Sequence, residues 1–317
     1  MTSPLTPYVT VENVNRHYAY GPSKAYLENL IETYDLHELV EEDIMSRRTQ
    51  DKIDIYDNCL FVVMHFPKYR PDSHKYMINE FNFILGSNYL ITLTSYKTNH
   101  VERVKQEYLK EIGGIAEDEI YKHSPYYIMY RLIDAMYDKV LHALLLFSQD
   151  VRMMEDDVFE ESGMNKKMLE NIMIKRRNVV ALKHMLMPQE EILHEFHKEI
   201  LKFVEGHGGQ GKELDVYVED LEYKFWRIRS TIESAAEDVD SLYNTYSTLL
   251  NMRINSIITV LTIFTSIIWL MTLATWFYGM NVLLPFSDDP YGALYILGWL
   301  LILGVVMIAV FKYQKRI

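Results

Sequence analysis

Three stretches of this sequence carry residue types that could do enzymatic chemistry, and each fails on spacing. Gly206-His207-Gly208-Gly209-Gln210-Gly211-Lys212 fits G-x-x-x-x-G-K, the loop whose backbone amides cradle phosphates. That chemistry also needs Ser or Thr at the next position to hold magnesium, and position 213 is Glu. No strand pattern precedes the loop, so it reads as a helix-breaking turn. His194-Glu195-Phe196-His197 sets two imidazoles beside a carboxylate, but a zinc-protease helix needs its histidines four residues apart. Here they are three apart, and a solvated helix face is the better reading. Cys59 has no second cysteine or nearby histidine and reads as a buried core thiol. With no Ser/His/Asp order and no paired carboxylates, the sequence points away from an enzyme, from nucleotide binding and from an organic cofactor.

A fourth pattern is of another kind. Asn255, Ile258, Thr262, Thr265, Trp269, Thr272, Trp276 and Gly279 recur at alternating steps of three and four, the spacing of one coiled-coil face. The seam runs into Tyr278-Gly279-Met280-Asn281. Amide and carbonyl oxygens of this kind are neutral, hard ligands, which suit hard cations.

The elements that must position this seam announce themselves by loss of charge. Arg253 is followed by 34 residues without Asp, Glu, Lys or Arg, and Pro290 to Phe311 is a second such run of 22. Each exceeds the roughly 20 residues that cross a bilayer core. Ser287-Asp288-Asp289-Pro290 between them reads as a tight polar turn, and Lys312, Lys315 and Arg316 follow the second run. The positive-inside rule sets that basic tail in the cytoplasm, and two spans return the chain to its starting side. The N-terminal MTSPLTPYVTVENV lacks a basic-then-apolar signal pattern, which agrees. The expectation is a plasma (inner) membrane protein with both termini cytoplasmic and the lipid bilayer as one partner. Of the net charge of −12, residues 254–317 carry +1, which leaves −13 on residues 1–253. So acidic a surface disfavours nucleic acid.

Ahead of the spans, Asn58 to Met64 and the pair Phe81–Leu85 and Tyr89–Thr94 around Gly86-Ser87-Asn88 read as strands. Ile128, Leu132, Ile133, Met136, Val140 and Leu144 then repeat at helical spacing, and Lys166 to Val204 reads as a second helix kinked at Pro188. Residues 213–278 contain neither Pro nor Gly. As one helix they would extend about 100 Å. The expected division is a cytoplasmic α/β domain over 1–122, a helical stalk over 123–253 and a two-span pore domain over 254–317. The pore domain would include the loop 282–291 and the basic C-terminal tail.

With these elements in order, the sequence resembles the CorA family of divalent-cation channels over nearly its whole length. The resemblance rests on Gly279-Met280-Asn281 ending the first span and on Tyr130-Arg131-Leu132-Ile133-Asp134-Ala135, similar to a family helix with an L-I-D-A core. Lys175-Arg176-Arg177-Asn178 through Met187-Pro188 resembles a K-R pattern that ends in proline, and Asn255 with Val260-Leu261-Thr262-Ile263 resembles the inner end of the pore helix. The family fold implied is an α/β cytoplasmic domain plus a long α-helical stalk and two C-terminal transmembrane helices, assembled as a homopentamer.

The resemblance implies roles for particular residues. Gly279, Met280 and Asn281 would form the selectivity ring for Mg²⁺, with Co²⁺ and Ni²⁺ as further substrates. The seam from Asn255 to Trp276 would line the pore, and Ile258 could form an apolar gate that closes by dewetting. Asp288 and Asp289 would concentrate cations at the mouth, or merely mark a solvated turn. Asp220 and Asp72 would bind regulatory Mg²⁺ between neighbouring subunits. Several positions depart from the family: Trp269 stands where Met is frequent, Leu270 where Pro is common and Trp276 where many members are small. Val282 replaces a usual Phe, and the loop lacks M-P-E-L. These departures leave open a zinc-transporting relative and a non-conducting sensor or scaffold.

Overall fold

The computed structural model describes residues 9–11, 14–46, 50–111, 122, 124–160, 165–206, 211–280 and 290–313. They divide into two compact units, 1–242 and 243–317.

The first unit is built on a sheet of β1 (Val9–Val11), β2 (Val14–Tyr20), β3 (Lys52–Ile55), β4 (Leu60–Arg70), β5 (Lys75–Leu85) and β6 (Tyr89–Thr94), in the order β1-β2-β6-β5-β4-β3. β2 and β6 run parallel; the other neighbours are antiparallel. The β5–β6 hairpin turns at Gly86, as its sequence predicts. A Cβ on Gly86 would lie 2.2 Å from the Tyr89 ring, so glycine is required by close approach. β4 extends well past the expected Asn58–Met64 because its pairing with β5 carries Phe66 to Arg70 along.

Two helices, α1 (Lys24–Tyr34) and α2 (Glu38–Ser46), cover one face. Leu27, Leu30, Val40 and Ile44 pack there on Cys59, Phe61, Val63, Ile84 and Ile91. The alternate residues Val62, Met64, Phe66, Phe81 and Phe83 are buried on the other face, where Phe66 meets Tyr137 with ring centroids 5.7 Å apart. That layer comprises α3 (Asn99–Glu111), α4 (Pro125–Val158), α5 (Lys166–Leu186) and α6 (Gln189–Gly206). Each fully buried Leu or Phe contributes about 1.5–3 kcal/mol, so the doubly covered strands hold the core. Ser124 caps α4 by accepting from the Tyr127 amide, with Pro125 at the first helical position.

Pro188 is not a kink inside one helix. α5 ends at Leu186 and α6 restarts at Gln189, so the chain turns there. The Gly206–Gly211 break falls between α6 and α7 (Gly211–Tyr278), while residues 207–210 themselves, like the expected turn at Ser162-Gly163, lie outside the described residues. α7 is a continuous helix of 68 residues, and the division between the two units falls within it. α8 (Gly292–Tyr313) is nearly coextensive with the second uncharged run.

Candidate ion path and regulatory carboxylates

In the second unit, the seam occupies one open face of α7. Asn255, Ile258, Thr262, Thr265, Trp269, Trp276 and Gly279 are exposed in the single chain, and Thr272 is half-buried. Ile263, Ser266, Ile267, Leu270 and Ala274 form a second row that is better covered. Trp269 and Trp276 are each 75% exposed among the described residues.

The seam hydroxyls have a common geometry. Thr262 Oγ1 donates to the Ile258 carbonyl at 2.7 Å, Thr265 Oγ1 to Leu261 at 3.0 Å and Thr272 Oγ1 to Ile268 at 2.8 Å. Each hydroxyl proton is thereby committed to the helix's own backbone, as suits an apolar solvent. What faces outward is oxygen lone pairs, which accept but do not donate. Such a row favours cations and their hydration water over anions.

α7 ends at Tyr278. The Gly279 amide donates to the Thr275 carbonyl at 2.9 Å, and a Cβ on Gly279 would lie 3.2 Å from that same oxygen. A side chain here would crowd the last turn. Met280 follows, 55% exposed. Asn281, Asp288 and Asp289 lie outside the described residues.

The expected regulatory pair is in the first unit. Asp72 is exposed on a 3₁₀ turn, Pro71–Ser73, at the tip of the β4–β5 hairpin. Asp220 is half-buried on α7, where its Oδ2 accepts from the Tyr130 hydroxyl at 3.0 Å. Among the described residues neither carboxylate has a cationic partner, whereas Asp134 and Asp138, near Asp220, pair with Lys224 one helical turn further on, Asp138 at 3.0 Å. Burial pulls the Lys224 ammonium down, but the bonds to Asp134 and Asp138 raise it above its ordinary value. Burial raises the Asp134 carboxyl against the opposing pull of Lys224. Burial likewise drives the Tyr130 phenol upward, with Asp134 and Asp220 adding to it, so it remains a donor to Asp220.

The basic run on α5 proves to be an anchor, which spacing alone does not reveal. Lys175 reaches Asp150 of α4 at 2.5 Å and Arg176 reaches Asp240 of α7 at 3.1 Å. Arg177 Nη2 and Asn178 Nδ2 both donate to the His74 carbonyl, at 3.1 and 2.9 Å. His74 has φ of 50°, an uncommon conformation for a side-chain-bearing residue, and these two bonds hold it.

The His194–His197 stretch is not a shared metal face. His194 is exposed, but His197 is not simply solvated. Its Nε2 lies 2.6 Å from Asp215 Oδ1 and its Nδ1 3.3 Å from Glu222 Oε1, both on α7. Among the described residues no group of three or more His, Cys, Asp and Glu is arranged to hold a metal ion. Cys59 is buried as expected, and burial pushes its thiol up to about 11.

An α/β unit followed by a 68-residue helix with an apolar, membrane-length end, and then by a second apolar helix, defines a helical membrane protein with a large water-facing domain. The sequence model for the CorA-like Mg²⁺ transporter protein family matches residues 18–315, and the chain belongs to that family of divalent-metal transporters. It is 25% identical over 285 residues to the cobalt/magnesium transport protein CorA of Thermotoga maritima, covering 90% of this chain and 78% of that one. In fold it matches the complete CorA magnesium transporter of Methanocaldococcus jannaschii with a TM-score of 0.78 at 17% identity, over 99% of this chain and 95% of the other. The ZntB cytoplasmic domain of Vibrio parahaemolyticus is also similar, with a TM-score of 0.59 at 10% identity over 77% and 90% of the two chains.

Proposed function

We propose that the chain forms a homopentameric channel in the plasma (inner) membrane that admits Mg²⁺ to the cytoplasm, where both termini lie. The observation that carries this reading is the open seam of α7, whose threonine hydroxyls turn only acceptor oxygens outward. Five copies around an axis would make stacked rings of acceptors, with Ile258 as an apolar constriction and Gly279, Met280 and Asn281 as the selecting ring. Amide oxygens that bond the hydration shell can pass Mg²⁺ without stripping it. Asp288 and Asp289 would draw cations to the mouth. An inside-negative potential supplies about 4.6 kcal/mol per 100 mV for a divalent ion, so no nucleotide is needed. Regulatory Mg²⁺ bound at Asp220 and Asp72 would offset repulsion between acidic subunits, and its loss would favour opening. Among the described residues neither carboxylate has a cationic partner, which supports that role.

Proteoliposomes with an inside-negative potential and an internal Mg²⁺ indicator test the reading. Saturable Mg²⁺ uptake is expected, with Co²⁺ and Ni²⁺ competing, and Asn281→Ala should abolish it. Zn²⁺ uptake without Mg²⁺ uptake would overturn the ion assignment. Trp269 and Trp276 favour one further reading, a closed pentamer that acts as a sensor or scaffold. Silence in the intact protein, with flux restored by Trp276→Gly, would select it. For regulation, Asp220→Lys should weaken the protection Mg²⁺ gives α7 against proteolysis; an unchanged protection curve removes Asp220 from the site.

A further inference from the structure

A second candidate site lies in the first unit, on residues the proposed metal path does not use. A cavity of about 40 Å³ sits between β2 and β6 of the sheet and the helices α3 and α4. Its walls include the apolar side chains of Val104 and Leu132, and Arg16, Thr92, Lys105 and Tyr108 also line it. Arg16 is only 7% exposed. Its guanidinium carbon lies 4.1 Å from the centroid of the Tyr108 ring, and its Nη2 donates to the Tyr108 hydroxyl at 2.9 Å. Its Nε is buried and has no hydrogen-bond partner. Among the described residues no carboxylate pairs with Arg16, although the chain as a whole is strongly acidic.

A guanidinium cannot escape burial by shedding its proton. A buried lysine or carboxyl can neutralise itself; arginine must be compensated from outside. Tyr108 satisfies one of five N–H donors and supplies no negative charge. Water in the cavity could accept from Nε but would leave the charge uncompensated. We infer that this cavity is a binding site for a small monovalent anion of the halide class, with Arg16 as its receptor group and Tyr108 holding the guanidinium in place. The volume of about 40 Å³ matches an ion of chloride size. The apolar walls favour weakly hydrated anions, so bromide should bind at least as well as chloride, and fluoride poorly. An anion seated there would tie α3 and α4 to the sheet through Arg16.

The inference does not depend on conduction, because melting of the protein requires no open pore. Full-length protein in detergent should melt about 3 °C higher in sodium chloride than in sodium gluconate at equal ionic strength, with a saturable dependence on chloride. Gluconate is much larger and more strongly hydrated than chloride, and matched ionic strength cancels screening. Arg16→Met should remove the chloride-dependent rise. Equal melting in the two salts, or an unchanged rise in Arg16→Met, would overturn the site. Should that variant fail to fold, crystals of the unmodified protein grown in bromide decide the matter. An anomalous peak within hydrogen-bond reach of Arg16 Nε is expected; ordered water there, with bromide confined to surface cations, refutes the proposal.

Discussion

The two units solve the problem of polar groups by opposite means. In residues 1–242, several polar groups take partners distant in sequence: His65 takes Asp51 and Glu80, Tyr137 takes Gln189, and the His74 carbonyl takes Arg177 and Asn178. In the seam of α7, hydroxyls are satisfied by carbonyls three or four residues back on the same helix. The first solution fixes tertiary structure and fails when one partner is removed. The second needs no partner, so it leaves a polar face free for ions or for neighbouring subunits.

The largest effect should come from His65, which breaks the first arrangement at its centre. Burial alone would lower this imidazole, but bonds to Asp51 and Glu80 raise it to about 9. His65→Gln leaves two carboxylates facing each other in a buried site and should cost about 3 kcal/mol in chemical denaturation. The pH dependence has a definite sign. A raised histidine contributes fully below its unfolded value of about 6.5 and loses that contribution as pH rises through about 9. Wild-type stability should therefore fall across this window by an amount absent from His65→Gln.

Next in size, Asn178→Ala should cost about 1–2 kcal/mol by freeing the His74 carbonyl, which Arg177 alone would then hold. Proteolysis at the β4–β5 tip should quicken in parallel. Thr262→Val inverts the contrast: stability should stay within about 0.5 kcal/mol, because the lost bond is local, while Mg²⁺ flux falls several-fold. A large loss of stability with normal flux would mean the seam is structural and the comparison false. Smallest of all, Cys59 should resist thiol reagents at pH 8 in the native protein and react only after denaturation, since burial holds its thiol near 11.

Local patterns made much of this fold legible. The β5–β6 hairpin, the apolar face of α4, the break before α7 and the two uncharged runs all follow from spacing within a few turns of chain. Elements that depend on distant partners were not visible. β2 has no alternation strong enough to stand out, and its parallel pairing with β6 joins residues more than seventy positions apart. α1 and α2 are short, and their apolar residues declare a face only against the sheet. Pro67 and its charged neighbours make the end of β4 look like loop, although pairing with β5 keeps it extended. The candidate site divides in the same way. The seam is readable because it is one helix face, whereas the Tyr130–Asp220 bond and the carboxylates clasping His197 arise only when α4, α6 and α7 meet.

Three successive residues of α5 give this packing a mechanical consequence. Arg176 holds α7 at Asp240, while Arg177 and Asn178 hold the tip of the hairpin that carries Asp72. Less than one helical turn thus works as a coupling link with a clasp at either end. Through that link the hairpin tip and α7 are joined by a side-chain path that bypasses the sheet. Cutting either clasp interrupts that path.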